Sequence, residues 1–352
     1  MTRIGGIRMA DPTRAEFNDS ASADDFRELA TQPRLRVLQC SEPVRVDVWS
    51  LVNEHFCPAR PDVELRVYGH YAAECDLSFA RLLSNVRHFA ADCLMRAASV
   101  ESLAELRSLE SLSLGTFELT DSSVLERLSP GLTSLSLGGT RSKRLSLAPL
   151  GRFGSLRVLF LDGHSRDIEV LAGLPELEDV TLRSITTPDL HYLSDLPKLW
   201  SLDIKLGGIR DFRGIEGKQS IKYLELWQVR GLRSIDIVGT LSGLQNLFLQ
   251  ALPLVETFPE LAGSRALRRI VIENLKGLRD FSALAAAPAL QDFALLDGRK
   301  QAPQQLLPVL NNRRVRRISA FFGSDRKNRE FSHLREECGK AEFDIREPFQ
   351  YQ

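Results

Sequence analysis

Along most of the chain the apolar positions repeat one template, Leu-x-x-Leu-x-Leu. Its middle apolar position falls at Leu65, Phe89, Leu112, Leu135, Leu159, Val180, Leu202, Leu224, Leu247, Ile270, Phe293 and Ile318, at intervals of 21 to 25 residues. The alternating Leu-x-Leu core has the period of a half-buried strand. A second apolar ladder follows each core, clearest at Leu252, Val255, Phe258 and Leu261 and again at Leu275, Leu278, Phe281 and Leu284. A spacing of three suits a 3₁₀ or loosely helical segment. Each repeat therefore predicts a strand, a turn and a return.

One such repeat cannot fold alone. Burying about six aliphatic side chains contributes roughly 1.5 to 3 kcal/mol each, whereas ordering about 22 residues costs roughly 1 to 2 kcal/mol per residue in backbone entropy. Stacked repeats share one continuous core, so the pattern predicts a solenoid with a parallel ribbon of strands about 4.8 Å apart.

Segments such as SLESLSLGTF, SLRVLFLDGH and ALRRIVIENL resemble leucine-rich repeats of the 22 to 23 residue class, including the internalin-like bacterial repeats. The resemblance covers residues 62 to 323. It implies an α/β solenoid, an arc with the strands on the concave face and 3₁₀ or short helical returns on the convex face. One departure is clear. The family's asparagine, three positions after the last strand leucine, is replaced here by Leu94, Phe117, Thr140, His164, Ile185, Gly207, Val229, Leu252, Leu275, Gly298 and Gly323.

A solenoid exposes its core at both ends and needs caps. Residues 21 to 61 are expected to form the N-terminal cap, with or without one irregular repeat: a helix start with Asp24 and Asp25 ahead of Phe26 and Leu29, then strands over Leu35 to Leu38 and Val44 to Val48. Residues 324 to 352 are expected to form the C-terminal cap, with a helix over Lys327 to Lys340. Residues 1 to 20 read as disordered.

Composition changes the picture little. Of 352 residues 43% are hydrophobic and 26% charged, and 46 basic residues offset 46 acidic ones, so no global charge draws the chain to nucleic acid or anionic lipid. No apolar run has the length of a secretory core or a membrane span, which points to the cytoplasm, with specialised export left open. The cysteines Cys40, Cys57, Cys75, Cys93 and Cys338 contain no CxxC pair and fit reduced thiols. With His55, His70 and His88 they crowd residues 40 to 93, but only His55 and Cys57 lie close in sequence, so buried thiols are preferred to a metal site.

On a repeat of this family the residues flanking the strand leucines face the concave side, because side chains alternate across a strand. In the early repeats these positions are small. The central ones hold Phe160, Tyr223, Trp227 and Phe248 beside Asp162, Asp179, Asp203 and Glu225, with Arg183 and Lys205 among them. Aromatic residues with charged neighbours have the chemistry of interface hot spots, and this acidic, aromatic centre suits a basic partner segment. The run Arg313, Arg314, Arg316 and Arg317, followed by Arg326, Lys327 and Arg329, reads as charge that blocks edge-to-edge association, with a phosphate-binding patch as the alternative.

No GxGxxG, P-loop, HExxH or GxSxG motif occurs, and the repeats and caps occupy nearly the whole length. The expected function is a non-catalytic scaffold, without cofactor or metal, that binds a protein partner. Narrower alternatives are a toxin-neutralising, immunity-like protein and an exported effector acting on a host protein. A nucleic-acid-binding role rests on the arginines alone.

Overall fold

The computed structural model describes residues 3–69 and 74–352 and divides into two compact units, Met1–Leu177 and Glu178–Gln352.

The first unit opens with β1 (Arg3–Ile4), β2 (Ile7–Asp11) and β3 (Arg14–Glu16), an antiparallel meander. Residues 3 to 17 are thus structured rather than disordered. Ile4, Ile7, Ala15 and Phe17 are buried, and the Phe17 ring meets Phe26 and Trp49 edge to face, at 5.8 and 5.3 Å between centroids. Four inward apolar side chains anchor a segment whose outward residues are charged. Helix α1 (Ala23–Ala30) starts where expected. Its Ser22 hydroxyl accepts from the Asp25 backbone N–H, while the Asp25 carboxylate accepts from the Ser22 N–H, a reciprocal cap of two otherwise orphaned donors.

Strand β4 (Val37–Cys40) follows, paired parallel to β3. The strand expected over Val44 to Val48 is instead the beginning of helix α2 (Val46–His55). Val46 is 65% exposed, whereas Val48 and Val52, four apart on one helix face, are buried with Trp49. Trp49 stacks on Phe79 at 3.8 Å. The alternation of three valines imitated a strand, but burial follows the helical period.

Next come β5 (Glu64–Tyr68), β6 (Cys75–Asp76), β7 (His88–Leu94), β8 (Ala97–Ala98), β9 (Ser111–Thr116), β10 (Ser134–Leu137) and β11 (Val158–Asp162). β6 and β8 pair with each other. The others continue from β4 as a parallel sheet in which Leu65 aligns with Phe89, then with Leu112, Leu135 and Leu159.

The second unit repeats this construction. Its sheet runs β12 (Asp179–Arg183), β13 (Ser201–Lys205), β14 (Tyr223–Trp227), β15 (Asn246–Gln250), β16 (Arg269–Glu273), β17 (Asp292–Leu296) and β18 (Arg317–Ala320), all parallel. Val180, Leu202, Leu224, Leu247, Ile270, Phe293 and Ile318 form one register and all are buried. Returns are short 3₁₀ turns such as Arg213–Ile215 and Ser282–Ala286, with α3 (Ile237–Thr240) and α4 (Leu307–Asn311) as brief α-helical variants. Helix α5 (Asp325–Glu337) closes the end and buries Phe331.

The missing asparagine ladder is replaced by backbone. The residue after each strand from β12 to β17 (Ser184, Leu206, Gln228, Ala251, Asn274 and Asp297) has φ between 50° and 58°. In this left-handed bend the N–H of Ser184, Leu206, Gln228, Ala251 and Asn274 donates to the last strand residue of the next repeat, Lys205, Trp227, Gln250, Glu273 and Leu296, at 2.8 to 3.0 Å. Gly207, which stands at the asparagine position, lies so close to its neighbour that a Cβ there would come within 2.1 Å of the Ile185 oxygen. A non-glycine residue in this region costs roughly 1 to 2 kcal/mol. Ala251→Gly should therefore raise stability, by up to about 1 kcal/mol after the added chain entropy of glycine, measured as a higher urea midpoint at unchanged slope.

Candidate functional site

In the second unit each strand turns its leucines into the core and its alternate residues to the open face of the sheet. The register sets Asp179 beside Ser201 and Tyr223, Thr181 beside Asp203 and Glu225, and Arg183 beside Lys205 and Trp227. Lys205 Nζ lies 3.0 Å from Asp203 and 3.2 Å from Glu225. The Tyr223 hydroxyl donates to Glu225 at 2.8 Å, and the Thr181 hydroxyl donates to Asp203 Oδ2 at 3.4 Å. The structure thus brings Asp203, Lys205, Tyr223 and Glu225 into one bonded cluster, with Asp179, Arg183 and Trp227 on the same three strands.

Electrostatically the cluster is over-supplied with carboxylates. Burial, then the neighbouring Glu225, pushes Asp203 up to about 6 against the pull of Lys205. Burial also raises Asp179. Burial alone would depress Lys205, but Asp203 and Glu225 outweigh it and hold the ammonium above its usual range. The Tyr223 hydroxyl is raised by burial and by the same two carboxylates. Asp203 Oδ1 is buried without a hydrogen-bond partner among the described residues, a costly condition for a carboxylate oxygen.

Phe160 and Asp162 lie on β11 of the first unit, half-buried, on the face away from Leu159 and Leu161. Phe248 lies on β15, opposite Glu225, but is partly covered.

The cover is the segment 341 to 352. Ala341 bridges to Arg317, its N–H donating to the Arg316 carbonyl and its carbonyl accepting from Ile318. The chain then crosses the open face as a strap. Phe343 packs on Val271 and Ala294 and touches Phe248 and Leu296, and its backbone exchanges hydrogen bonds with the Ser319 hydroxyl. Glu347 accepts from Arg317, and its carbonyl accepts from Arg269. The Phe349 ring sits under the Arg268 and Arg269 guanidinium groups at 4.8 and 5.1 Å. Tyr351 meets Trp200 edge to face at 5.1 Å and accepts from Asn246.

Burial records the strap directly. β14 and β15 alternate between buried and half-buried positions, whereas β16 and β17 are buried through their first four residues. Sequence reasoning placed these residues in an end cap and missed the return. The signal was present in Val271, Ala294 and Ser319, apolar or small residues where an open face would carry polar ones, and in the aromatic triplet Phe343, Phe349 and Tyr351.

A polar face network in the first unit was also missed. Arg66 pairs with Asp92 at 2.7 Å, reaches Gln39 at 3.2 Å and lies 4.5 Å from the centre of the Tyr68 ring. Glu16 accepts from Ser41 and Tyr68. Cys40, Cys57 and Cys75 are buried and Cys93 is exposed. Burial pushes the Cys57 and Cys75 thiols up to about 12. No metal-holding group of histidine, cysteine and carboxylate occurs among the described residues; His70 lies outside them. No helix among the described residues is long and apolar enough to cross a membrane.

No protein-family model and no curated protein matches the sequence. Solved structures do match the fold. An internalin, InlF of Listeria monocytogenes, aligns over 89% of this chain and 87% of its own at 18% identity, TM-score 0.57. A TLR13–ssRNA13 complex aligns over 90% of this chain and 51% of its own at 17% identity, TM-score 0.57. The Toll–Spatzle complex of Drosophila aligns over 90% of this chain and 44% of its own at 14% identity, TM-score 0.56. The chain spans about half the length of the latter two. Parallel strands with short helical returns make the fold a leucine-rich-repeat solenoid.

Two outcomes follow for the second unit. An aspartate whose pKa is raised by folding adds stability below the ordinary carboxylate pKa and loses it as pH rises through about 6. Asp203→Asn should therefore stabilise the protein at pH 8 by on the order of 2 kcal/mol and give no such gain at pH 4, as read from denaturant midpoints. Phe343→Ala should release the strap, at a cost of about 3 kcal/mol. Hydrogen exchange should then accelerate at Phe343 and at Ile318, whose amide is bonded to Ala341.

Proposed function

We propose that this protein is a non-catalytic recognition scaffold that holds a protein partner on the open face of the second unit's sheet, over β12 to β14, at whose border the strap ends with Tyr351 against Trp200. The carrying observation is the imbalance of the cluster: Asp203 and Glu225 share the Lys205 ammonium, Asp179 adds a third carboxylate on the adjacent strand, and Asp203 Oδ1 has no hydrogen-bond donor among the described residues. A lysine or arginine from a partner, set against this acidic cluster, lowers the Asp203 pKa through its charge. Trp227, at the end of β14 and half-exposed, offers the apolar contact beside it. The residues expected to line this surface are Asp179, Arg183, Asp203, Lys205, Tyr223, Glu225 and Trp227, with Phe248 at its border under the strap. Phe160 and Asp162 carry the same chemistry on the first unit.

Supporting this reading, a similar fold occurs in a protein complexed with a protein, Toll with Spatzle, and in one complexed with RNA, TLR13. The acidic character of the cluster favours a basic protein segment over an RNA backbone. A cytoplasmic toxin-neutralising protein and an exported effector both fit such a surface, and a toxin gene or an export-chaperone gene beside this one separates them.

Affinity capture from a lysate identifies the partner, and titration of the purified pair tests the site. Trp227→Ala and Glu225→Lys should each weaken binding about tenfold or more, with the thermal transition retained. Wild-type affinity should rise between pH 5 and pH 7, because a partner's cation is bound by ionised Asp203, whose pKa is about 6. Unchanged affinity in both variants would place the partner elsewhere.

A further inference from the structure

The arginines near the end of the repeats are gathered by the fold. β16 and β18 flank β17, so the register sets Arg268, Gln291 and Arg316 side by side, and one position on it sets Arg269, Asp292 and Arg317 side by side. The second trio is neutralised. Arg269 and Arg317 both bind Asp292, at 3.2 and 2.8 Å, and Arg317 also binds Glu347. The first trio is not, and it opens onto a pocket of about 330 Å³ lined by Arg265, Arg268, Arg313, Arg314 and Arg316. Pro288, Ala289 and Gln291 of the intervening repeat and Gln352 of the strap complete its lining. No carboxylate side chain lines it.

Arg268 is held in place, its guanidinium donating to Gln245 at 2.8 Å and to the Gln350 carbonyl at 2.6 Å. The guanidinium groups of Arg265, Arg313, Arg314 and Arg316 make no ion pair or hydrogen bond among the described residues; Arg314 is tied to Asn312 through its backbone N–H alone. Edge protection does not account for them, because β18 is not an open edge: Ala341 bonds to both Arg316 and Ile318 and α5 packs beyond it. Five like charges around one small cavity repel each other unless an anion sits between them, and the guanidinium fork matches phosphate oxygens bidentately.

We propose that this pocket binds an oligophosphate, a ligand with two or more linked phosphates. Arg268 and Arg316 are two strand spacings apart, on the order of 10 Å, which a chain of phosphates bridges more completely than a single one. A space of about 330 Å³ is too small for a run of nucleotides. No aromatic ring lines it as the stacking platform that single-stranded nucleic acid uses.

Calorimetric titration of the full chain with inorganic tripolyphosphate at about 20 mM salt tests the assignment. Arg313→Glu with Arg316→Glu should weaken binding about tenfold or more. Arg326→Glu with Arg329→Glu, an equal charge change at exposed positions of α5, should leave it within about twofold. Circular dichroism checks that both pairs fold, and Arg265→Glu, at an exposed position, repeats the pocket test independently. No heat of binding, equal losses in the two double variants, or preferential binding of short polyuridine over tripolyphosphate would each overturn the proposal.

Discussion

The strands of the repeats find their sheet partners in the neighbouring repeats, and that constraint shapes the rest of the molecule. A buried N–H or C=O without a partner costs about as much as a lost hydrogen bond, so a repeat is satisfied only when its neighbours are in register. The left-handed residue after each strand extends this ladder one step past the strand end, donating from Leu206 to Trp227 and from Gln228 to Gln250. Side-chain asparagines become unnecessary, and positions that would hold them are free to be Ile185, Val229 or Leu252, all buried. The turn is thereby bound through backbone and the space beneath it is filled with hydrocarbon.

Because the ladder is strict, a residue's column in the repeat determines which face it occupies. That is why the core register from Leu65 to Ile318 was legible in the sequence, and why the cluster of Asp203, Lys205, Tyr223 and Glu225 could be assembled from spacing alone. Contacts that do not repeat were hidden. Ile4, Ile7 and Phe17 are isolated apolar residues in a charged segment, and only their burial, with Phe17 set against Trp49 and Phe26, explains their order. Val44, Val46 and Val48 satisfied the strand period over too short a window to distinguish it from a helix. The strap was hidden for a related reason: Phe343 meets Val271 and Ala294 across a gap in sequence that no local period spans.

Net charge conveyed still less. A formal sum of zero conceals a second unit in which carboxylates gather on β12 to β14 while arginines gather at the starts of β16 and β18. Fields at a protein surface are set by neighbours within about a Debye length, roughly 8 to 10 Å, which is two strand spacings. In a solenoid that distance equals two repeats, so adjacent groups of repeats hold opposite local potentials without cancelling each other.

The strap bears on both regions at once. It buries the open face of β16 and β17, whose Val271 and Ala294 would otherwise be an exposed apolar strip, and its Glu347 consumes the charge of Arg317. Its next residues do the reverse: Phe349 takes only the faces of Arg268 and Arg269, and Gln350 meets Arg268 through its backbone carbonyl, so neither neutralises an arginine. Aromatic and amide groups hold a guanidinium in position while leaving its charge available. Had the strap carried an acid in place of Gln350, Arg268 would be satisfied internally. Arg268 is thereby ordered with no side-chain acid beside it, the condition in which an external anion gains most from meeting it.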